Sequence, residues 1–473
     1  MLSYMYTTEF QKRGLPHAHI LIFLHPSNKY PRPEDIDKII SVEVSDPLKD
    51  PKLYNLVKTH MVHGPCGLNT LSTALYAKRK IVLCVASSGI ASLLFPGGRT
   101  THSKFKISVP TLESSICNND KKDELVDLLK LTDLIIWDEA HMANKFCFEA
   151  LDKSLQDIMS ETTEASDKIF GRKVLKLTKN TWLQKGTMTS TANNIQTFSE
   201  WILKIGDGRM YEPNDGYVEI SIPQEFLISN FSDPIEAIIK IIYHDLIHNY
   251  HDSNYLQSRA ILASTIEVLD DINQYITNLL PGEENEYFSS DFVDRFETTD
   301  FDAFEHLIHE FLNALKISGM PNHLIKLKIG TTIMLLRNLD QSEGLCNGTR
   351  LTVTRLDNHV IEAKIISGKN IGNIIYILRM SFSPSQSAWP FKLVRRQFPI
   401  IVSFAMTINK SQGQSLDKVG LYLPKDVFSH GQLYVALSRV KTNESLKILI
   451  NDKDKQVMHI TTNVVFKEVF HNI

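Results

Sequence analysis

Leu134-Ile135-Ile136-Trp137-Asp138-Glu139-Ala140-His141 is a run of large apolar residues that ends abruptly in two carboxylates. An uninterrupted apolar run reads as a strand buried on both faces, as in the parallel sheets of α/β proteins. In such sheets a ligand sits beyond the carboxyl ends of the strands, where Asp138 and Glu139 fall. Adjacent carboxylates there suit nucleotide hydrolysis. The first can hold a magnesium-bound water against the phosphates, and the second can orient or deprotonate the attacking water. The alternative is a strand followed by a solvated acidic turn.

Outward from this strand, the chain has room for several domains. It has 473 residues, 43% of them apolar, enough for two to four domains with their own cores. A formal net charge of −3 gives no global basic field, so a nucleic-acid site must be local. The five cysteines, Cys66, Cys84, Cys117, Cys147 and Cys346, form no Cys-x-x-Cys pair. That argues against a disulfide framework or zinc ribbon and for a reducing compartment. No apolar run reaches bilayer length, and Met1-Leu2-Ser3-Tyr4 does not open a leader peptide. The expectation is a soluble intracellular protein.

Before the central strand, Gly14 to Pro16 form a turn leading into a strand on which His17 and His19 share one face. Two imidazoles at that spacing can grip a divalent metal, or simply belong to a half-buried strand. Leu68–Lys80 has helical spacing and Ile81–Ala86 is a second apolar strand, opening into Ser87-Ser88-Gly89. Pro96–Lys106 combines a Gly pair, hydroxyls, His102, Lys104, Phe105 and Lys106. Such a stretch suits a sugar-phosphate backbone and a base face, or forms an ordinary connection.

Asp123–Leu131 and Phe146–Met159 read as helices flanking the central strand. Residues 200 to 280 are mainly helical in pattern, with Ile235–His248 the strongest amphipathic piece, a strand at Arg259–Thr265 and a helix at Asp270–Leu280. Residues 346–395 change period. Leu351–Leu356, Val360–Ile366 and Ile374–Met380 are β-rich runs separated by turns, a small antiparallel barrel-like insertion. Ile400–Ile408, Val419–Leu423 and Leu446–Ile450 restore the α/β pattern.

Four stretches together resemble the PIF-type DNA helicases: Val85–Ile107, the Asp138-Glu139 strand, Ser403–Leu416 (SFAMTINKSQGQSL) and Gly431–Val440 (GQLYVALSRV). Glu9–Leu21 and Ile36–Gly67 resemble the rolling-circle initiator half of Helitron transposon proteins, with His17-Ala18-His19 as its metal motif. The resemblance implies an α/β fold of two RecA-like parallel-sheet lobes, the first truncated, with an SH3-like β insertion and an N-terminal α+β remnant. The implied boundaries are 1–67 for the remnant, 68–171 for the first lobe, 172–345 with 396–473 for the second, and 346–395 for the insertion.

It further implies a superfamily-one motor moving 5′ to 3′ on single-stranded DNA and DNA junctions, using ATP and Mg²⁺ in recombination, repair or transposition. Asp138 would bind Mg²⁺, Glu139 would be the catalytic base and Arg439 the finger on the γ-phosphate. Such a finger is worth on the order of 10³–10⁵ in rate in phosphoryl transfer. Gln412 and Gly413 would face nucleotide, and Ser87, Ser88, His102, Lys104, Lys410 and Ser411 would line the DNA path. His17 and His19 would be a vestigial metal site, and the family's location is the nucleus. His141 completes an Asp-Glu-Ala-His box by accident, since the family carries a proline in place of Ala140 or His141.

The departures from the family are equally specific. A phosphate-cradling loop needs Gly-x-x-x-x-Gly-Lys-Ser/Thr between a strand and a helix. The only Gly-Lys is Gly368-Lys369, in a β turn and followed by Asn370. The Leu68–Lys80 helix, which that loop precedes in the family, is joined straight to Gly64–Gly67. The sensor segment is missing between Ile158 and Val174, Trp182 stands where an arginine is usual, and the initiator half stops before its paired tyrosines.

Three readings follow: an ATP-dependent helicase, a non-catalytic single-strand DNA binder, or a decayed or mis-spliced transposon copy. We expect crippled ATP turnover. Because a whole strand is gone, we also expect its neighbours in the first sheet either to be left with unpaired edges or to be forced together across the wrong spacing.

Overall fold

The computed structural model describes residues 4–6, 21–24, 75, 79–159 (except 93–94, 96, 109–110, 119–122, 139–142 and 144), 174–176, 190–211, 216–294 and 309–465 (except 318, 341–342, 369, 385–390, 415, 441, 453 and 455). Most of the expected Leu68–Lys80 helix, and His17 and His19, lie outside them.

The first sheet runs in the order Leu21–Leu24, Leu134–Asp138, Val82–Ala86, Arg99–Thr100. The two central strands are parallel, in register from Val82 opposite Leu134 to Ala86 opposite Asp138. All ten of their residues are buried, as continuous apolar runs require. Helix Glu124–Leu131 starts where the Asp123 carboxylate caps the Leu125 N–H. With helix Lys145–Met159 it covers one face, packing Leu129, Phe148, Leu151 and Leu155 against Val85, Ile135 and Trp137.

Of the two outcomes expected, the unpaired edge is not found on the Leu134–Asp138 strand. Leu21–Leu24 pairs antiparallel with the central strand, Leu21 opposite Trp137 and Leu24 opposite Leu134. A buried strand cannot leave its backbone groups unpaired, and a neighbouring β-prone segment satisfies them.

The second sheet is parallel throughout, in the order Ala405–Thr407, Arg259–Ala263, Lys418–Leu423, Leu446–Ile450. Alternate residues feed two different cores. Ala260, Leu262, Val419 and Leu421 face Phe198, Ile202 and Leu433, whereas Ile261, Ala263 and Tyr422 face Ile238, Ile242 and Ile272. Helices therefore cover both faces, the doubly covered α/β arrangement that the apolar runs imply.

Three sequence expectations change. The helix expected over Ile235–His248 stops at Ile242, because Asp245 takes a left-handed φ of 63° before Leu246–Asn249 resumes. Tyr217–Ser221, in a span read as mainly helical, is a strand paired with Ile460–Val464. Ile400–Ile408 is not one strand. Ile400–Val402 joins the antiparallel sheet and Ala405–Thr407 the parallel one, with Ser403 and Phe404 buried at the crossing.

The antiparallel sheet has the order Ile374–Leu378, Val360–Ile365, Arg350–Leu356, Thr332–Leu335, Ile400–Val402. The first three of these strands fall where the sequence places them. Its two remaining strands lie outside residues 346–395, so the sheet is wider than the insertion read from sequence.

Candidate nucleotide and nucleic-acid site

At the carboxyl ends of the two central strands, the Ser87 N–H donates to the Asp138 carbonyl at 3.1 Å. Trp137 Nε1 donates to Ser87 Oγ at 3.0 Å, and its ring stacks on Phe148 with centroids 4.6 Å apart. Ser87, Ser88 and Asp138 are thus brought together, with Asp138 only 1% exposed. Glu139 lies outside the described residues. Ser88 Oγ accepts from the Ala91 N–H at 3.2 Å, so its hydroxyl caps the short Gly89–Ser92 turn.

His102 and Lys104 lie on the Thr101–Phe105 helix, anchored where Thr101 Oγ1 donates to the Ala86 carbonyl at 3.0 Å. His102 Nε2 is 3.6 Å from Cys147 Sγ. Burial lowers the His102 pKa, favouring neutral imidazole. Burial, then the charge of Arg99, lowers that of Lys104.

In the second lobe, Thr407 Oγ1 caps the Lys410 N–H at 3.3 Å and starts the Ile408–Ser411 turn. Gly413 then takes a left-handed φ of 68°, which a side chain would strain. Arg439 is 2% exposed. Its Nε donates to the Val435 carbonyl at 2.9 Å, and its terminal nitrogens donate to the Ser411 carbonyl at 3.4 Å and to Ser438 Oγ at 2.9 Å. Arg439 and the Ser411–Gly413 segment are therefore joined, but through bonds made inside their own lobe.

Sequence reading missed Asn347. Its Oδ1 accepts from Lys410 Nζ at 2.7 Å, and a Cβ added at Gly89 would lie 3.8 Å from its carbonyl oxygen. Asn347 thus stands between Lys410 and the Ser87–Gly89 turn. Asn338 Oδ1 accepts from the Asn347 N–H at 2.8 Å and fixes that turn. No local signal marks two asparagines nine residues apart.

This donor set does not fit a magnesium triphosphate. A triphosphate needs successive backbone N–H groups and a cation around its β- and γ-phosphates. Here the Ser88 hydroxyl accepts a capping N–H and the Arg439 Nε donates to the Val435 carbonyl. Gly368 turns a β hairpin between Val360–Ile365 and Ile374–Leu378. Among the described residues no cluster of three or more His, Cys, Asp or Glu could hold a metal ion.

Residues 65–175 match the family described as PIF1-like helicase. That stretch of the chain is similar to PIF1-like helicases. Residues 310–356 match the 2B domain of the DNA helicase Pif1, and residues 393–466 a further helicase family. ATP-dependent DNA helicase PIF1 of Xenopus laevis is 35% identical over 150 residues, 30% of this chain and 22% of that protein. The Homo sapiens PIF1 is 31% identical over 178 residues, 35% of this chain and 25% of that protein. The chain spans about a quarter of the length of these curated PIF1 relatives.

Among solved structures, Pif1 helicase from Candida albicans is 18% identical at a TM-score of 0.48, covering 83% of this chain and 89% of that one. Pif1 helicase from Bacteroides in complex with ADP-AlF3 and ssDNA is 21% identical at a TM-score of 0.44, covering 81% and 85%. No helix among the described residues is long and apolar enough to cross a membrane.

Proposed function

We propose that this chain descends from an ATP-dependent 5′-to-3′ DNA helicase of the PIF/Helitron type, retains single-stranded DNA binding, and has crippled ATP turnover. One observation carries the reading: the chain's only Gly-Lys pair is followed by Asn370, and its Gly368 turns a β hairpin, so the sequence holds no Gly-x-x-x-x-Gly-Lys-Ser/Thr loop. Without that grip a triphosphate is not held in line for attack, whatever Asp138, Glu139 and Arg439 once did. We assign no catalytic step to those three residues here, and none through ATP or Mg²⁺.

The DNA path runs past Ser87, Ser88, His102 and Lys104 in the first lobe and past Lys410 and Ser411 in the second. Buried Ser411 and the capped Ser88 contribute backbone geometry, while Lys104 and Lys410 contribute charge. Gln412 and Gly413 flank the same cleft. The lobes correspond to 68–171 and 172–345 with 396–473, the insertion to 346–395, and the initiator remnant with His17 and His19 to 1–67. A nuclear location follows from the same descent.

The test is ATP hydrolysis by the purified chain with Mg²⁺ and an oligothymidylate, beside Glu139→Gln. The expected result is salt-dependent DNA binding with no stimulated turnover. Stimulated turnover abolished by Glu139→Gln would overturn the proposal.

A further inference from the structure

A cavity of about 360 Å³ lies between the helix Ile266–Leu279, the turn after helix His309–Ala314, and the strands Leu324–Leu327 and Ile400–Val402. None of the DNA-path residues lines it. Its volume is within the range of small-molecule sites.

One wall is His323, whose state is fixed by a chain of hydrogen bonds. Arg395 holds Asp291 in a buried ion pair. Ser289 Oγ donates its one proton to Asp291 Oδ1 at 2.6 Å. The same oxygen can then only accept from His323 Nδ1, 2.8 Å away. Nδ1 therefore carries the ring proton, and Nε2 is left as a bare acceptor. Burial, ahead of the opposing Asp291 charge, lowers the His323 pKa and keeps the ring neutral.

The remaining lining is equally selective. Leu315, Ile325, Ile400 and Ile401 supply apolar surface. Gln274, Asn313 and Asn322 line the same cavity, and their carboxamides make no hydrogen bond among the described residues. Each offers a donor and an acceptor side by side. The lysines at the rim are already neutralised, Lys316 by Asp270 at 2.7 Å and Lys326 by Glu284 at 3.2 Å and Glu286 at 2.8 Å. In the cavity wall, Asn273 spends its amide on Val402 and Ala405, which pins the Ile400–Val402 strand.

A cavity with apolar faces, an imidazole wall, unspent carboxamides and no unpaired lysine selects a neutral heterocycle with donor and acceptor edges. Nucleobases have that chemistry: carboxamides read their edges, and imidazole and apolar side chains take their faces. We propose that this cavity is a nucleobase site, taking one base turned out of a single strand. The proposal rests on the single-strand DNA reading for the source of the base, but not for the chemistry of the site.

The test uses the full chain and Gln274→Leu/Asn313→Leu, two substitutions outside the packed cores. One arm measures thymidine and adenosine binding by calorimetry. A second measures anisotropy of an oligothymidylate and of an abasic oligonucleotide of equal length, across a salt series. Nucleoside binding is expected, and is lost in the double variant. Oligothymidylate affinity should fall about tenfold, within the range for one base contact, with the salt slope and the abasic affinity unchanged. Wild-type protein that binds oligothymidylate but no nucleoside, with the double variant at full affinity, overturns the pocket and leaves the DNA reading intact. Nucleoside binding lost in the variant, without any oligonucleotide binding, supports the pocket and overturns the DNA reading.

Discussion

Asp291 and Arg395 face each other across two antiparallel strands, their side chains 0% and 1% exposed, and Arg395 Nη2 donates to Asp291 Oδ2 at 2.6 Å. The guanidinium also donates to the carbonyls of Leu312, Leu315 and Pro321, so one residue ties the 312–321 stretch to the sheet at three points. A buried pair of this kind is costly to halve. Asp291→Ala should lose about 3–5 kcal/mol in urea denaturation, because the cation stays buried without its partner. The Asp291→Leu/Arg395→Met double variant should lose less. Equal losses in the two would mean that the charge is not what the site depends on.

A second packing relation sets the position of the Lys418–Leu423 strand. A Cβ at Gly420 would come within 2.6 Å of Ile242 and 2.9 Å of Ile238, so the helix Pro234–Ile242 rests directly on that backbone. Gly420→Ala should cost about 1–3 kcal/mol by overpacking. Ile238→Val introduced with it should recover part of the loss, seen as a rise in melting temperature. A Gly420→Ala protein that melts like wild type would place the helix farther from the sheet.

What the sequence made legible follows from how local each signal is. The strands Leu134–Asp138 and Arg259–Ala263 stand out because burial on both faces demands a continuous apolar run. The split at Ser403-Phe404 does not, since both halves of Ile400–Ile408 are β-prone and only tertiary pairing sends them to different sheets. Ser87, Ser88 and Asp138 were legible one by one, as residues at the ends of apolar strands, and parallel register brings those ends together. The cluster of Ser289, Asp291, His323 and Arg395 was not, because its members span more than a hundred positions with no spacing that a motif could hold. Arg439 was legible as a motif residue, but its inward hydrogen bonds were not.

Acid should expose one buried titratable group in particular. Burial pushes the His430 pKa down to about 4, from an ordinary value of 6.5. The folded chain keeps this imidazole neutral while the unfolded chain takes up a proton below about 6.5. The stabilisation is therefore complete above pH 6.5 and is lost as the pH falls toward 4. Urea midpoints should drop between pH 7 and pH 5, and His430→Gln should flatten that part of the profile. An unchanged profile in the variant would assign the acid sensitivity to other groups.

The strand Leu21–Leu24 belongs by sequence to the initiator-like segment, yet it closes the sheet that carries Asp138. Its partner, Leu134–Asp138, is at most 1% exposed at every position. Removing the donor strand would leave that backbone edge without partners, in an apolar setting where water cannot substitute well. A chain lacking residues 1–30 should therefore unfold its first lobe early or recruit another strand to the open edge. The expected signs are dye binding to exposed apolar surface, higher oligomers by light scattering, and rescue by an added peptide spanning residues 18–28. Proline substitution separates pairing from mere bulk: Ile22→Pro/Phe23→Pro in the full chain removes a ladder N–H, because adjacent residues alternate in bonding, and should mimic the truncation, whereas Lys29→Pro, five residues after Leu24, should not. A monodisperse truncated chain with an unchanged melting curve would show that the edge needs no donor.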